Sequence, residues 1–198
     1  MAHVSTAERS IQFVEAAVRV IADQGVANAT TRRIAEAANA PLASLHYCFR
    51  DKDSLFHAVF EHLTEGAVQA FASVEPERLS VTAEHYIRYS TDWIVQNPDY
   101  ALAQLDLHLW MSRNRPESAT ELADGYFRAV AAILHRAAGP AVSEEGAMNL
   151  ASVLSGAIDG IVTQWAAHRD SSRVDAYAET FCAGIPALCR HIELQFAA

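Results

Sequence analysis

The chain has 198 residues, 51% of them hydrophobic and 20% charged, a composition that can build a core and excludes a disordered or low-complexity protein. Its eight glycines and six prolines are too few turn signals for a β-sandwich or barrel. The net charge of −9 argues against a nucleic-acid binder, but residues 1–62 carry six basic and seven acidic side chains, whereas residues 63–198 carry nine and 17.

Three helices are predicted in the first fifty residues. The first covers about residues 6–24 and should end at Gly25. Its apolar side chains recur at helical spacing: Ile11, Val14, Val18 and Ile21. The second covers about residues 31–38 and the third about residues 41–49, with Asn39 between them, where a sharp turn needs a residue that tolerates left-handed backbone. Two short helices joined in this way form a helix-turn-helix.

Six further helices are predicted after residue 50. Asp51 can cap a long fourth helix that fades near residues 71–76, with Leu55, Val59 and Leu63 on its buried face. The other five are bounded by Pro, Gly, Ser or Asp and cover about residues 80–96, 98–113, 116–138, 143–169 and 173–196. With no strand-like alternation in the sequence, the prediction is an all-α protein of about nine helices.

A motif in fixed order lies within the first sixty residues. Gly25 is followed by Thr30-Thr31-Arg32-Arg33-Ile34-Ala35-Glu36-Ala37-Ala38 and then by Leu45-His46-Tyr47-Cys48-Phe49-Arg50-Asp51-Lys52-Asp53-Ser54-Leu55. Over about residues 9–60 the chain resembles the DNA-binding domain of the TetR family of bacterial transcriptional regulators. The resemblance implies a three-helix helix-turn-helix DNA-binding domain at residues 1–51 and a larger helical ligand-binding and dimerisation domain at residues 52–198. The chain departs from the usual motif at Asn39, Pro41, Ala43 and His46.

The resemblance implies that the second and third helices and the start of the fourth contact DNA. The candidate DNA-binding residues are Thr31, Arg32, Leu42, Ala43, Ser44, His46, Tyr47, Cys48 and Lys52. A threonine hydroxyl at the start of the second helix can bind a phosphate, and Arg32 is long enough to reach a phosphate or a guanine edge. Lys52, the only lysine, resembles the family's phosphate clamp.

In the third helix, Leu45 and Phe49 should point into the core, while Ser44, Tyr47 and Cys48 share a face that has His46 at its edge. Without the motif, the arginines would be read as a solvated surface pair and Tyr47 as a core residue.

The last two helices predict a homodimer. The final helix carries an apolar seam at alternating spacings of four and three: Val174, Ala178, Phe181, Ile185, Leu188 and Ile192. The preceding helix is apolar nearly all round and has small residues that permit close approach: Ala151, Ser155, Gly156 and Gly160. The resemblance implies that the helices at about residues 143–169 and 173–196 pair with those of a second copy; the alternative is a core within one chain.

The middle helices are rich in bulky side chains, most of which we expect to be core. The resemblance implies that others line a pocket for a small-molecule effector that releases the DNA, with the candidates Tyr89, Trp93, Leu105, His108, Met111, Phe127 and Trp165. Because this part of the chain is acidic, we expect a neutral or cationic apolar effector. Any of Asp92, Asp106 and Asp159 that faces inward should have a hydrogen-bond partner or contact the ligand.

Nothing in the sequence indicates catalysis, a cofactor or a metal. Three cysteines, Cys48, Cys182 and Cys189, are too few for a disulfide framework, and the histidines have no metal-ligand spacing. With no apolar leader and no run of 18 apolar residues, we expect a cytoplasmic protein without a membrane span.

The overall prediction is a transcriptional regulator, most simply a repressor, that binds a palindromic double-stranded operator; the sign of regulation depends on where the operator lies. Two alternatives stay open. One is an all-helical small-molecule-binding protein or enzyme that does not bind DNA. The other is a helix-turn-helix protein that acts only through a protein partner.

Overall fold

The computed structural model describes residues 5–72 and 77–197. Within these ranges the chain forms nine α-helices, two short 3-10 helices and no strand, which confirms the predicted all-α class. The α-helices are α1 (Thr6–Gln24), α2 (Thr31–Ala37), α3 (Leu42–Cys48), α4 (Lys52–Ala72), α5 (Leu79–Gln96), α6 (Pro98–Asn114), α7 (Pro116–Ala138), α8 (Glu144–His168) and α9 (Ser171–Gln195). The 3-10 helices are Val26–Asn28 and Gly139–Ala141. The predicted fading of the fourth helix falls partly on residues 73–76, which lie outside the described residues.

Side chains that cap backbone amides explain where several helices begin. Ser5 and Glu8 form a reciprocal capping box at α1, with the Ser5 amide 2.8 Å from a Glu8 carboxylate oxygen. Thr30, Asp51 and Ser143 each accept a hydrogen bond from the amide three residues further on, at 3.3, 2.8 and 3.2 Å. Each such cap contributes about 1 kcal/mol, so the starts of these helices follow from local sequence.

The chain divides into two compact units. The first unit combines the residues up to 65 with residues 98–122. The second unit combines residues 66–97 with the residues from 123 onward. In the first unit, the buried side chains of α1 to α4 form one core with those of α6. This core includes Phe13, Val18, Ile34, Leu45, Leu55, Phe56 and Leu107. The predicted boundary between residues 51 and 52 separates a DNA-binding domain from a ligand-binding domain. It is a division by function and stays a prediction.

In the second unit, α5, α7, α8 and α9 pack around a separate core. Its buried members include Ile87, Val130, Leu134, Leu150, Leu154, Ile185 and Ile192. Pro186 lies inside α9, which continues past it to Gln195.

Three predicted details differ from the structure. Ile11 is 52% exposed, so the buried face of α1 is carried by its neighbours in the stripe and by Phe13. Pro41 has an extended ψ of 139° and is the N-cap of α3 rather than a helical residue. The last helix begins at Ser171, earlier than predicted, because the Asp170 carboxylate caps it by accepting the Ser172 amide at 3.0 Å.

A long-range hydrogen bond joins α6 to the junction after α1. Gly25 ends α1 with a φ of +78°, a backbone conformation that favours glycine. The next amide, that of Val26, donates to Oδ2 of Asp106 at 2.6 Å. Asp106 is half-buried, so of the three aspartates considered from the sequence it is the one that faces inward with a partner, while Asp92 and Asp159 are exposed.

A second link between distant segments of this unit is weaker. Arg115 contacts the Asp53 carboxylate with Nη2 at 2.6 Å and Nε at 2.7 Å. Both side chains are nearly half exposed, and such surface pairs contribute about 0–1 kcal/mol. The Asp106 bond should therefore matter more to the stability of the fold.

We predict that Asp106→Ala lowers the free energy of unfolding by about 1–3 kcal/mol, because it leaves the Val26 amide without its acceptor in a partly buried place. The exposed Asp92→Ala is the matched control and should change stability by less than about 0.5 kcal/mol. Urea denaturation of both variants measures the difference, and equal stabilities would contradict a structural role for the Asp106 bond.

Candidate DNA-binding and ligand-binding sites

The segment from α2 to α3 has the geometry of a helix-turn-helix. Asn39 turns the chain with a φ of +50°, the left-handed conformation predicted for it, and the Ala40 amide donates to the Ala35 carbonyl at 3.0 Å. Leu45 is fully buried and Phe49 is 8% exposed, as their spacing predicts. These two side chains fix which face of α3 points away from the core.

The outward face of α3 consists of four exposed residues: Leu42, Ala43, His46 and Tyr47. Tyr47 is 80% and Leu42 39% exposed. Ser44 and Cys48 are half-buried, and their predicted face with Tyr47 stays a prediction. Along the exposed side of the helix, Leu42 and His46 are four residues apart, as are Ala43 and Tyr47.

The cations near this face differ in their surroundings. Arg32 is well exposed and its Nε lies 3.2 Å from a Glu36 carboxylate oxygen, a surface pair that salt and DNA can displace. Arg33 donates to the Asn28 carbonyl at 3.1 Å. Thr30 caps α2 by accepting the Arg33 amide, and half-buried Thr31 follows it as the first residue of the helix.

Lys52 lies at the first residue of α4 with its ammonium against aromatic rings. Its Nζ is 4.7 Å from the ring centroid of Phe56 and 5.9 Å from that of Trp110. Burial lowers the pKa of this ammonium, an effect that the neighbouring Asp53 carboxylate opposes. The side chain is half-buried, and its predicted phosphate contact stays a prediction.

The seven predicted effector-pocket residues are distributed over both compact units. Leu105, His108 and Met111 lie on α6 in the first unit, where Met111 is buried in the core. The other four lie in the second unit: Tyr89, Trp93, Phe127 and Trp165. Trp165 is 5% exposed and has the Arg169 guanidinium 5.1 Å from its ring. That the seven line one pocket stays a prediction.

A buried hydroxyl cluster in the second unit was missed as a candidate site. The Tyr86 hydroxyl is 2.5 Å from that of Tyr126 and 3.0 Å from Oγ of Ser155. Burial raises the pKa of both phenols, that of Tyr126 well above its ordinary value, and the Asp159 carboxylate raises both further. Both phenols therefore remain protonated. The three hydroxyls form a small polar cluster in an apolar core, with groups that can donate hydrogen bonds to a bound molecule or accept them from it.

Tyr86 and Tyr126 lie in the middle helices that are rich in bulky side chains, so the sequence contained a signal for them, but it contained none for Ser155. Ser155 and Ala151 were predicted to permit close approach between two copies of the chain. This prediction is wrong, because both side chains face the inside of the unit, where they are 4% and 0% exposed. Gly156 and Gly160 are exposed, as that role requires.

An apolar groove of about 940 Å³ runs between α8 and α9. Its lining includes Val153, Gly160, Tyr177, Phe181, Gly184 and Leu188. The predicted seam of α9 is divided by the structure, because Val174, Ala178, Ile185 and Ile192 are buried in the unit whereas Phe181 and Leu188 remain half-buried at the groove.

By length and composition, α8 is apolar enough to cross a membrane, although 39% of its most apolar window is buried inside the fold, and core helices meet the same criterion. Among the described residues, no three His, Cys, Asp or Glu side chains form a group that could hold a metal.

Comparison with known proteins agrees with this geometry. The model of a family described as bacterial regulatory proteins, tetR family, matches residues 13–59. The HTH-type nicotine-responsive transcriptional repressor HdnoR of Paenarthrobacter nicotinovorans is 32% identical over 89% of this chain and 97% of its own.

Solved structures with the same fold include a TetR transcription regulator from Haloarcula marismortui, with a TM-score of 0.75 and 20% identity over 91% of this chain and 98% of that one. Another is FadR of Bacillus subtilis in complex with stearoyl-CoA, with a TM-score of 0.73 and 17% identity over 88% and 96% of the two chains.

Proposed function

The chain belongs to the TetR family of bacterial regulatory proteins and is a DNA-binding transcriptional regulator; we propose that it is a cytoplasmic, non-enzymatic repressor that binds a palindromic operator as a homodimer. A small apolar effector releases it from the DNA. The observation that carries this proposal is the exposed face of α3, which lies opposite the buried Leu45 and Phe49 and is free to enter a major groove.

The proposed DNA contacts are those expected from the sequence. Leu42, Ala43, Ser44, His46, Tyr47 and Cys48 belong to the helix that enters the groove, while Thr31, Arg32 and Lys52 flank it. The exposure of Arg32 supports a phosphate contact, since the guanidinium has only to leave a solvated partner. Lys52 reaches a phosphate by rotating away from the Phe56 ring, a cation–π contact worth about 0.5–2 kcal/mol at a half-buried site.

The proposed dimer uses the α8–α9 groove. An apolar groove of about 940 Å³ on two long helices favours a partner that presents similar helices, and a second copy supplies them. The exposed glycines Gly156 and Gly160, where even an added methyl group would meet open space, support a close approach of the two α8 helices. A two-fold dimer also matches a two-fold operator.

The proposed effector is a neutral or cationic molecule with an apolar body. The relative HdnoR is described as nicotine-responsive, and nicotine, an amine with two small rings, fits this class. The hydroxyls of Tyr86, Tyr126 and Ser155 supply hydrogen-bond groups that such a molecule needs, and Asp159 adds negative potential. Of the candidate residues, the four in the same unit as these hydroxyls, Tyr89, Trp93, Phe127 and Trp165, supply apolar walls.

We predict that the protein selects a palindromic sequence from a random or genomic DNA library at moderate salt, because α3 presents a defined face to the groove. Lys52→Met, which keeps the alkyl stem against Phe56, and Arg32→Ala should each weaken binding and reduce the salt slope by about 1. Tyr47→Ala and Ser44→Ala should instead change the selected sequence. Fluorescence anisotropy at several salt concentrations measures both effects.

The control is Arg128→Ala, which removes an exposed arginine of α7 outside the helix-turn-helix and should leave the salt slope unchanged. Failure to select any sequence would contradict the regulator function and favour the alternative of a helical ligand-binding protein.

We predict that Thr180→Arg gives a monomer, because Thr180 lines the groove and a charge there must be desolvated in the dimer. Ala183→Arg adds the same charge on α9 at an exposed position outside the groove lining and should stay dimeric. Sedimentation of the three proteins at micromolar concentration measures the difference, and a wild-type monomer that DNA does not dimerise would refute the interface.

We predict that an effector quenches the fluorescence of Trp93, Trp110 or Trp165 and releases DNA over the same concentration range. Nicotine is the first compound to titrate. Tyr126→Phe should weaken the effector by about 5–100-fold, the loss of one or two hydrogen bonds in a buried site, without changing affinity for DNA. A compound that quenches stoichiometrically but leaves operator affinity unchanged would contradict the proposed coupling.

A further inference from the structure

The outward face of α3 has an uneven chemistry along its length. Its first turn presents two apolar side chains, Leu42 and Ala43, and its second turn presents His46 and Tyr47. In helix-turn-helix proteins the N-terminal residues of this helix contact base edges. None of the exposed side chains of this first turn can therefore form a hydrogen bond; the Ser44 hydroxyl in the same turn is half-buried.

The side chains that recognise bases through paired hydrogen bonds are absent from this helix. Residues 42–48 include no Arg or Lys, which read guanine, and no Asn or Gln, which read adenine. Ser44, His46 and Tyr47 can each make single hydrogen bonds. In α2, Arg32 and Arg33 are both exposed, but Arg33 donates to the Asn28 carbonyl, so Arg32 is the cation better suited to a phosphate.

An apolar side chain in the major groove meets one apolar group that differs between base pairs, the 5-methyl group of thymine. Leu42 is 39% exposed, so its side chain has surface that it can bury against such a methyl group. Ala43 beside it lets the helix approach the base edges closely.

We propose that Leu42 and Ala43 are specificity-determining residues that read thymine 5-methyl groups in each half-site of the operator. This inference rests on the proposed function, since it requires α3 to enter the major groove. The hydroxyl and imidazole groups of Tyr47 and His46 then act further along the helix, at phosphates or neighbouring bases. Recognition at the centre of each half-site comes from apolar contact.

The test uses the full-length protein and the operator selected from a DNA library. Thymines in both half-sites are replaced by deoxyuridine, which removes the methyl group and keeps the base pairing. We expect affinity to fall about fourfold for each contacted methyl, the factor that corresponds to one buried methylene-sized group. The same replacement outside the half-sites is the control and should leave affinity unchanged.

A substitution tests whether the Leu42 side chain makes the contact with the thymine methyl group. Leu42→Ala should weaken binding to the thymine operator and lose most of its sensitivity to deoxyuridine, so the two changes are not additive. Leu109→Ala, at a leucine 48% exposed on α6, is the matched control and should retain the full deoxyuridine effect. Circular dichroism checks that both variants are folded.

Two results would overturn the inference while the regulator function stands: a selected operator that tolerates deoxyuridine at every half-site position, or a Leu42→Ala protein as sensitive to deoxyuridine as the wild type. Failure to select any operator would instead overturn the proposed function itself, and this inference with it.

Discussion

The candidate DNA-binding surface depends on the burial of two side chains, Leu45 and Phe49. With seven residues, α3 is too short to be stable alone, because helices of this length do not form in water. Packing against α1 and α2 holds it, and burying one such side chain contributes about 1.5–3 kcal/mol. Since these residues occupy the inner side of α3, they also decide that Leu42, Ala43, His46 and Tyr47 face outward. Stability and recognition are therefore set by the same helix from opposite faces.

In the second unit, the corresponding constraint is an excess of apolar surface on α8 and α9. Both helices bury one face in the unit, through residues such as Leu150, Leu154 and Ile185, yet Val153, Phe181 and Leu188 remain at the groove. In a four-helix core each helix buries one face, so the second apolar face of α8 and α9 is available to the proposed dimer. The seam read from the sequence therefore divides: four of its six members are buried in the unit, and the other two remain half-buried at the groove that the proposed dimer uses.

Features set by short-range chemistry could be predicted from the sequence. The caps at Thr30, Asp51 and Ser143, the end of α1 at Gly25 and the left-handed Asn39 all depend on residues within one turn of each other. Orientations were harder, because a helix such as α8 that is apolar nearly all round contains no signal that separates its neighbouring faces; Ala151 and Ser155 were misassigned for this reason. The Asp106 bond spans 80 residues, and the hydroxyl cluster joins three helices, so neither has a local signature.

Because the first 62 residues carry few cations, the affinity for DNA depends strongly on contacts made by the exposed face of α3. Residues 1–62 carry six basic and seven acidic side chains, so non-specific attraction to the phosphate backbone, which grows with the number of neutralised phosphates, is weak. A regulator with few cations is poorly held by random DNA and gains its discrimination mainly from contacts that depend on sequence. Apolar contacts with bases are independent of salt to first order, unlike phosphate contacts. An acidic regulator that reads bases by apolar contact, as proposed for Leu42 and Ala43, therefore combines low background binding with specificity that survives at physiological ionic strength.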